Sequence, residues 1–176
     1  MTKLVLIAMV TLAVSCNTPS NEPATVVSDT AASVTAKHDY GVKFAYSGDL
    51  GIGDVSLADK VVNLWKHFDA NTLDSVKSYF ADSVSVHFTG MEVTKFSRDS
   101  LFTMVKAERG AMSSCVTEFD AIVPLKANDK GENVVSVWGV ETATIKGKKI
   151  VRDLNEIWAF NKDGKIDFLK QYVLLR

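Results

Sequence analysis

The chain has 176 residues, of which 47% are hydrophobic and 23% charged, and its 20 basic and 21 acidic side chains nearly cancel. This length is sufficient for one domain with a substantial core. The sequence carries no basic stripe, which argues against a nucleic-acid-binding protein. It also has no Gly-rich phosphate loop, no Cys/His zinc spacing and no Gly-x-Ser-x-Gly elbow, so we expect no cofactor and no metal site.

Residues 1–15 have the composition of a signal peptide. A lysine at position 3 precedes an apolar run over residues 4–14, which is too short to span a bilayer as a mature helix. The run ends in LAVSC at residues 12–16, which resembles a bacterial lipoprotein signal whose cysteine is lipidated. We therefore predict a lipid on Cys16 that anchors the protein to a membrane of the bacterial cell envelope. An ordinary secretory signal with an incidental cysteine is the alternative.

Residues 16–53 are predicted to be a flexible tether and a lead-in to the domain. Residues 17–37 are rich in Ser, Thr, Ala, Asn and Pro, a composition typical of disorder. Residues 38–53 contain three aromatic side chains among several glycines, which favours an irregular lead-in or an edge strand. The predicted domain then occupies residues 54–176.

Three helices are expected in the first half of the domain. The first begins at Ser56 as its N-cap, and its apolar residues recur at helical spacing. These residues are Leu57, Val61, Leu64, Trp65 and Phe68. A second helix begins near Asn71. A third runs from about Ser97 to Arg109, with Gly110 as the residue that stops it.

A strand is predicted over residues 84–88, where apolar and polar residues alternate. The alternation places Phe88 on the apolar face and His87 on the opposite face. A histidine has a pKa suited to acid–base catalysis, but this position favours a surface or interface role. Residues 89–96 are expected to connect this strand to the third helix.

Four long antiparallel strands are predicted to close the chain. The first covers residues 112–125, and Cys115 within it is expected to be a small buried hydrophobe rather than a nucleophile. The other three lie within residues 134–173, with tight turns at Gly147-Lys148 and Asp163-Gly164. Asp-Gly between alternating apolar residues is a strong hairpin signal, because two-residue hairpin turns favour positive φ angles.

Two-residue turns set the register of the paired strands. The first turn predicts the pairs Ile145–Ile150, Ala143–Arg152, Glu141–Leu154, Gly139–Glu156 and Val137–Trp158. The second predicts Phe160–Asp167, Trp158–Leu169, Glu156–Gln171 and Leu154–Val173. All of these residues share one face, because side chains alternate across a strand. The other face carries Trp138, Val140, Ile157, Phe168 and Tyr172, so we expect one face to pack on the helices and the other on a partner.

Three segments resemble a known family. They are FDANTLD at residues 68–74, YFADSVSV at residues 79–86 and WAFNKDGKI at residues 158–166. With the order of elements, they look like the cone-shaped α+β fold of the nuclear-transport-factor-two-like superfamily, which includes SnoaL-like polyketide cyclases, scytalone dehydratase and ketosteroid isomerase. The resemblance implies three N-terminal helices packed in a curved, mostly antiparallel sheet. It also implies a pocket at the open end of the cone and, frequently, a homodimer through the outer sheet face.

Alignment of Phe80-Ala81-Asp82 with the matching segment of ketosteroid isomerase tests one activity within this superfamily. The general base of that enzyme falls at Phe88, its oxyanion-hole tyrosine at Leu64 and its protonated carboxylic acid at Glu156. Phenylalanine cannot accept a proton, so the isomerase reaction is expected to be absent. The alignment agrees with the strand alternation in directing Phe88 and Glu156 into the pocket.

The candidate site is centred on Glu156, with Gln171 as its cross-strand neighbour. The predicted ligand-binding residues are Leu64, Phe68, Phe88, Glu141, Arg152, Trp158, Gln171 and Val173. Burial would raise the pKa of Glu156 and suit it to act as a catalytic acid or base. In the alternative interpretation, Glu141 and Arg152 form an ordinary ion pair, Glu156 and Gln171 a satisfied buried pair, and Trp158 part of the core.

Three functions are compatible with these patterns. The first is an envelope lipoprotein that binds a small, largely apolar molecule in the cone pocket. The second is a SnoaL-like isomerase, dehydratase or cyclase that uses Glu156 as acid or base. The third is a homodimeric interaction module that uses the outer sheet face, because three exposed aromatic residues would form an unusual patch on a monomer.

Overall fold

The computed structural model describes residues 41–176, which form an α+β domain. Its elements are β1 (Leu50–Ile52), α1 (Val55–Asp69), a 3₁₀ helix (Leu73–Tyr79), β2 (Phe80–Phe88), β3 (Thr94–Ser97), α2 (Arg98–Gly110), β4 (Met112–Ala127), β5 (Glu132–Ile145), β6 (Lys148–Phe160) and β7 (Ile166–Leu175). The predictions for the signal peptide, the lipidated Cys16 and the tether up to position 40 lie outside the described residues. Within the described part of the chain, no helix is long and apolar enough to cross a membrane.

The seven strands form one open sheet with the order β1-β4-β5-β6-β7-β2-β3. Every neighbouring pair is antiparallel except β2 and β7, which are parallel. The helices pack against the sheet, α1 on β4 and β5 and α2 on β2 and β4. β4 has register shifts between Met112 and Ser114 and between Phe119 and Ala121. Such bulges increase the local bend and twist of a strand, which helps a sheet to curve around helices.

Helix α1 starts two residues earlier than the sequence predicts. Its N-cap is Asp54, whose carboxylate accepts a hydrogen bond from the Ser56 backbone N–H at 2.9 Å. Asp and Ser are both preferred N-caps, so local sequence does not discriminate between them. The predicted apolar stripe is confirmed, because Leu57, Val61, Leu64, Trp65 and Phe68 are all buried.

The second helix differs from the prediction in type and in length. It is a 3₁₀ helix that begins at Leu73, because Asn71 has a φ of 57° and cannot belong to a right-handed helix. The 3₁₀ helix ends at Tyr79, and Phe80 is the first residue of β2. The connecting segment over residues 89–96 also contains part of a strand, since β3 pairs with residues 83–86 of β2.

Helix α2 begins where the sequence predicts and ends one residue later. The Ser97 side chain caps it by accepting a hydrogen bond from the Ser100 backbone N–H at 3.1 Å. Gly110 is its last helical residue rather than the residue that stops it, and the C-cap is Ala111, with a φ of −76°. A glycine commonly ends a helix by adopting a left-handed conformation just after it. Because this helix ends without a left-handed residue, the prediction from Gly110 is wrong by one residue.

The β5–β6 hairpin turns at Lys146-Gly147, one residue before the predicted position. Both residues have positive φ, 49° and 75°, as a two-residue type I′ hairpin turn requires. Glu141 therefore lies directly opposite Arg152 instead of Leu154, a register shift of two residues. A shift of two preserves the alternation, so the predicted division of residues between the two faces is unchanged.

The β6–β7 pairing follows the prediction around the candidate site. Glu156 pairs with Gln171, as predicted, and so do the neighbouring pairs Trp158–Leu169 and Leu154–Val173. Phe160 pairs with Ile166 rather than with Asp167, because a bulge lies between Ala159 and Phe160. The turn there is longer than two residues, and the Asn161 side-chain oxygen closes it by accepting from two backbone N–H groups.

Two glycines differ in the space around them, one in strand β5 and one at the end of helix α2. A Cβ at Gly139 would lie 2.6 Å from the Glu118 carbonyl oxygen, whereas a Cβ at Gly110 would meet nothing within 4 Å. We expect Gly139→Ala to lower the free energy of unfolding by about 1–3 kcal/mol through overpacking. Gly110→Ala should raise it by about 0.4–1 kcal/mol, because alanine restricts the unfolded chain. Urea denaturation measures both, and a Gly139→Ala protein as stable as the wild type would contradict the close approach.

Candidate functional site

A cavity lies between the helices and the inner face of the sheet. The volume of this cavity is about 80 Å³. Its lining includes Glu156 and all eight predicted ligand-binding residues: Leu64, Phe68, Phe88, Glu141, Arg152, Trp158, Gln171 and Val173. The remaining lining residues are Trp65, Leu73, Phe80, Leu101, Phe102, Val105, Glu108, Leu154 and Leu169. The predicted residues thus lie together in the cavity wall, and whether they bind a ligand stays a prediction.

Glu156 on β6 is completely buried and accepts three hydrogen bonds. Its Oε2 accepts from the Trp65 indole N–H of α1 at 3.0 Å and from the Trp158 indole N–H at 2.8 Å. Its Oε1 accepts from the Gln171 amide N–H of β7 at 2.8 Å. Glu156 and Trp158 are two residues apart on one strand, so both side chains point to the same face. Three different elements of the fold thus meet at one carboxyl group.

Burial raises the pKa of Glu156 to about 7, because the low-polarity surroundings disfavour its charged form. The hydrogen bonds from Gln171, Trp158 and Trp65 oppose this shift by stabilising the carboxylate, and the charge of Glu141 adds to it. All three donors are neutral, so no cation compensates the carboxylate in its own hydrogen-bonding shell. Glu156 can consequently take either protonation state near neutral pH.

The two oxygens of Glu156 differ in what they can still do. Oε2 already accepts from two indole N–H groups, while Oε1 accepts only from Gln171. A carboxylate oxygen has two lone pairs, so Oε1 retains one position for a proton or for a further donor. The arrangement can therefore donate a proton, accept one, or bind a hydrogen-bonding group of a ligand at Oε1.

A second polar cluster lines the same cavity. The Arg152 Nε donates to Oε1 of Glu141 at 2.8 Å, another guanidinium nitrogen donates to the same oxygen, and a third donates to Glu108 Oε1 at 3.2 Å. Glu141 is only 2% exposed, and burial raises its pKa even though Arg152 acts to lower it. The predicted ion pair therefore forms and also contributes to the cavity wall. Removing one partner of such a buried pair typically costs about 3–5 kcal/mol.

Cys115 and His87, which are predicted to lie outside the site, do not line the cavity. Cys115 is 6% exposed, and burial raises the pKa of its thiol to about 12, which suits an inert core residue. His87 faces away from the cavity, with its ring centroid 6.2 Å from that of Tyr172, while Phe88 lines the cavity. Among residues 41–176, no group of three or more His, Cys, Asp or Glu side chains could hold a metal ion.

Two hydrogen-bonding residues of the cavity, Trp65 and Glu108, are not among the residues predicted for the site. The sequence pattern predicts Trp65 only as part of the apolar stripe of α1 and gives Glu108 no role. A buried tryptophan usually needs an acceptor for its indole N–H, so a tryptophan facing a predicted buried carboxylate was a usable signal. Glu108 has no comparable signal, because its contact with Arg152 joins elements that are 44 residues apart in sequence.

No family model matches this sequence, and no curated protein matches it. The described fold does match solved structures. An LEH-like epoxide hydrolase from M. tuberculosis has a TM-score of 0.57 at 12% identity, covering 68% of this chain and 84% of its own. The epoxide hydrolase/cyclase-like enzyme SalBIII has a TM-score of 0.56 at 14% identity, with 68% and 92% covered. An NTF2-like protein of unknown function from Exiguobacterium sp. 255-15 has a TM-score of 0.54 at 19% identity, with 65% and 98% covered.

This chain has the nuclear-transport-factor-two-like fold. The predicted fold class is thereby confirmed, with helices enclosed by an open, mostly antiparallel sheet. Identities of 12–19% establish the fold alone and carry no activity with them. In the nuclear-transport-factor-two-like domain of this protein, the candidate chemistry therefore depends on Glu156 and the residues around it.

The raised pKa of Glu156 makes stability depend on pH. The folded protein holds the proton of Glu156 more tightly than the unfolded chain does. The resulting contribution to the free energy of unfolding is therefore complete below about pH 4.5 and is lost as pH rises through about 7. The loss should be on the order of 3 kcal/mol. Glu156→Gln should fold, since Gln171 can turn its amide to accept, and should lack this loss.

Urea denaturation between about pH 5 and pH 8 measures the difference between the two proteins. Glu118→Gln is the matched control, because Glu118 is exposed on β4 and undergoes the same change of charge. Its stability should follow the wild-type pH profile. Parallel profiles for wild type and Glu156→Gln would show that Glu156 is not protonated differently in the folded and unfolded states.

Proposed function

We propose that this domain binds a small, largely apolar molecule in its cavity, with Glu156 as the polar anchor. The observation that carries the proposal is a completely buried carboxyl group in the cavity wall with one unused position on Oε1. Ligand sites are typically apolar concavities with a few convergent polar groups. Here the apolar body of a ligand would contact leucine, phenylalanine and tryptophan side chains.

Exposure within the lining supports an entrance on one side of the cavity. Phe88, Val105, Arg152, Gln171 and Val173 are half-buried and Glu108 is exposed, whereas the other lining residues are buried. These six residues would form the rim through which a ligand enters. The Arg152–Glu108 contact at this rim is partly exposed, so it can open at lower cost than the buried Arg152–Glu141 contact.

An enzyme is the second candidate function, with Glu156 as general acid or base of an isomerase, dehydratase or cyclase reaction. Two observations favour it. The pKa of Glu156 is raised to about 7, where acid–base catalysis is efficient. Two structures with the same fold are described as an LEH-like epoxide hydrolase and an epoxide hydrolase/cyclase-like enzyme. Binding without turnover is preferred, because no second group in the cavity is positioned as a partner acid or base by a recognisable motif.

The sequence supports two further proposals about where and how the domain acts. The LAVSC segment at residues 12–16 supports a lipid on Cys16 and a place on a membrane of the bacterial cell envelope. The outer sheet face supports a homodimer through Trp138, Val140, Ile157, Phe168 and Tyr172. Trp138 and Tyr172 are 40% and 45% exposed, a considerable apolar area for a monomer to leave in water.

Native mass spectrometry of the full chain from its own host tests the ligand proposal. The wild type should retain a small molecule, and Glu156→Gln should fold but retain it at reduced occupancy, because the anchor changes its charge and donor pattern. Circular dichroism establishes folding of the variant, and Glu118→Gln should retain the molecule as the wild type does. A wild-type protein with no retained molecule and no affinity for added small ligands would refute the proposal.

Light scattering tests the homodimer. The wild type should have the mass of two chains, and Trp138→Lys should have the mass of one, because a lysine would bury an unpaired charge in the interface. Lys126→Met on β4, which removes an exposed charge elsewhere, should remain a dimer. A monomeric wild type at micromolar concentration would contradict this proposal and leave the ligand proposal unaffected.

A further inference from the structure

We infer that the cavity selects an organic cation: a small protonated amine whose ammonium group binds Oε1 of Glu156 and whose hydrocarbon body fills the apolar part. This inference rests on the proposed function, because it specifies the ligand class for the same cavity. It is carried by the charges, the hydrogen-bonding positions and the aromatic rings of the lining, which are independent observations.

The charges of the lining favour a cation over an anion. Three carboxyl groups, those of Glu108, Glu141 and Glu156, line the cavity with a single guanidinium, that of Arg152. Arg152 is engaged by Glu141 and Glu108, and Glu156 receives only neutral donors. An anionic ligand would meet an excess of negative charge, whereas an ammonium would supply the counter-charge that Glu156 lacks.

The hydrogen-bonding positions at Glu156 suit a donor. Oε2 is occupied by the Trp65 and Trp158 indoles, and Oε1 has one lone pair left after Gln171. The Gln171 side chain also carries an amide oxygen, which can accept a hydrogen bond from a further donor. An ammonium group has several N–H donors and no acceptor, so it can donate hydrogen bonds to the acceptor oxygens of both Glu156 and Gln171.

Aromatic rings make up nearly half of the apolar lining. Six of them contribute to the cavity: Trp65, Phe68, Phe80, Phe88, Phe102 and Trp158. Aromatic faces attract cations through their quadrupole, and the attraction strengthens when water is excluded. A neutral ligand with an acceptor oxygen would instead need Glu156 protonated, and it would gain nothing from the other two carboxylates.

The pH response separates these two ligand classes. The neutral side chains of Trp65 on α1 and Gln171 on β7 contact Glu156 directly. The charged groups of the same cavity are Glu141 on β5, Arg152 on β6 and Glu108 on α2. Asp69, at the end of α1, acts on Glu141. Burial raises the pKa of both Glu156 and Glu141, but Glu141 keeps Arg152 as its partner. Amine binding should therefore strengthen as Glu156 ionises, whereas binding of a neutral acceptor should weaken.

Three probes of similar size test the inference on the full chain: cyclohexylamine, cyclohexanone and cyclohexanecarboxylate, in phosphate buffer without competing amines. Titration calorimetry at about pH 6 and pH 8 measures each dissociation constant. An alkylamine keeps its charge at both values, as lysine does. We expect the amine to bind at least about tenfold more tightly than the other two at the higher pH. Its own affinity should rise about tenfold from the lower to the higher pH, following the ionised fraction of Glu156.

Glu156→Gln should lose this preference for the amine, and the matched variant Glu118→Gln should keep it. The pH profile of the wild type keeps the test decisive if Glu156→Gln does not fold. Tighter binding of the ketone, with affinity that falls as pH rises, would overturn the amine inference and leave the small-molecule proposal standing. Binding of the carboxylate would overturn it as well. If none of the three probes binds and no molecule is retained from the host, both proposals fail.

Discussion

The desolvation of one carboxyl group constrains the centre of this structure. Glu156 is entirely removed from water, and the effective cost of burying an ion is several kcal/mol unless hydrogen bonds or charges offset it. The offset here comes from Trp65 on α1, Trp158 on β6 and Gln171 on β7. The position of α1 over the sheet is consequently tied to the register of β6 and β7. A displaced helix would leave the carboxyl group without one of its donors.

The two buried carboxyl groups differ in the charge of their hydrogen-bonding partners, and this difference identifies Glu156 as the candidate for chemistry or ligand binding. Glu141 has a guanidinium partner within 2.8 Å, so its charge is largely satisfied inside the protein. Glu156 has neutral donors only, and its pKa rises to about 7. A satisfied ion pair serves the scaffold, whereas a group with an unused position and an uncompensated charge can act on a ligand. Both groups line one cavity, whose other side chains are mostly aliphatic and aromatic.

Local patterns predicted much of this fold because they depend on periodicity. The apolar stripe of α1 and the inward direction of Glu156 and Phe88 follow from helical and strand repeats. The β5–β6 register was wrong by two residues, yet the assignment of faces survived because the strand repeat is also two. The short strand β3, with the sequence TKFS, was missed because four mostly polar residues show no alternation from which to recognise it.

The sequence alone determined which residues face inward and that a glutamate and a glutamine meet across β6 and β7, and it placed the β5–β6 turn to within one residue. Only the tertiary structure decided that the Trp65 indole, 91 residues away, donates to the same carboxylate and that Glu108 reaches Arg152. The reason is physical: periodicity reports the direction of a side chain within its own element, but not the distance between elements far apart in sequence. The size of the cavity and the absence of a cation among the direct partners of Glu156 depend on those distances, so they emerge only once the helices lie on the sheet.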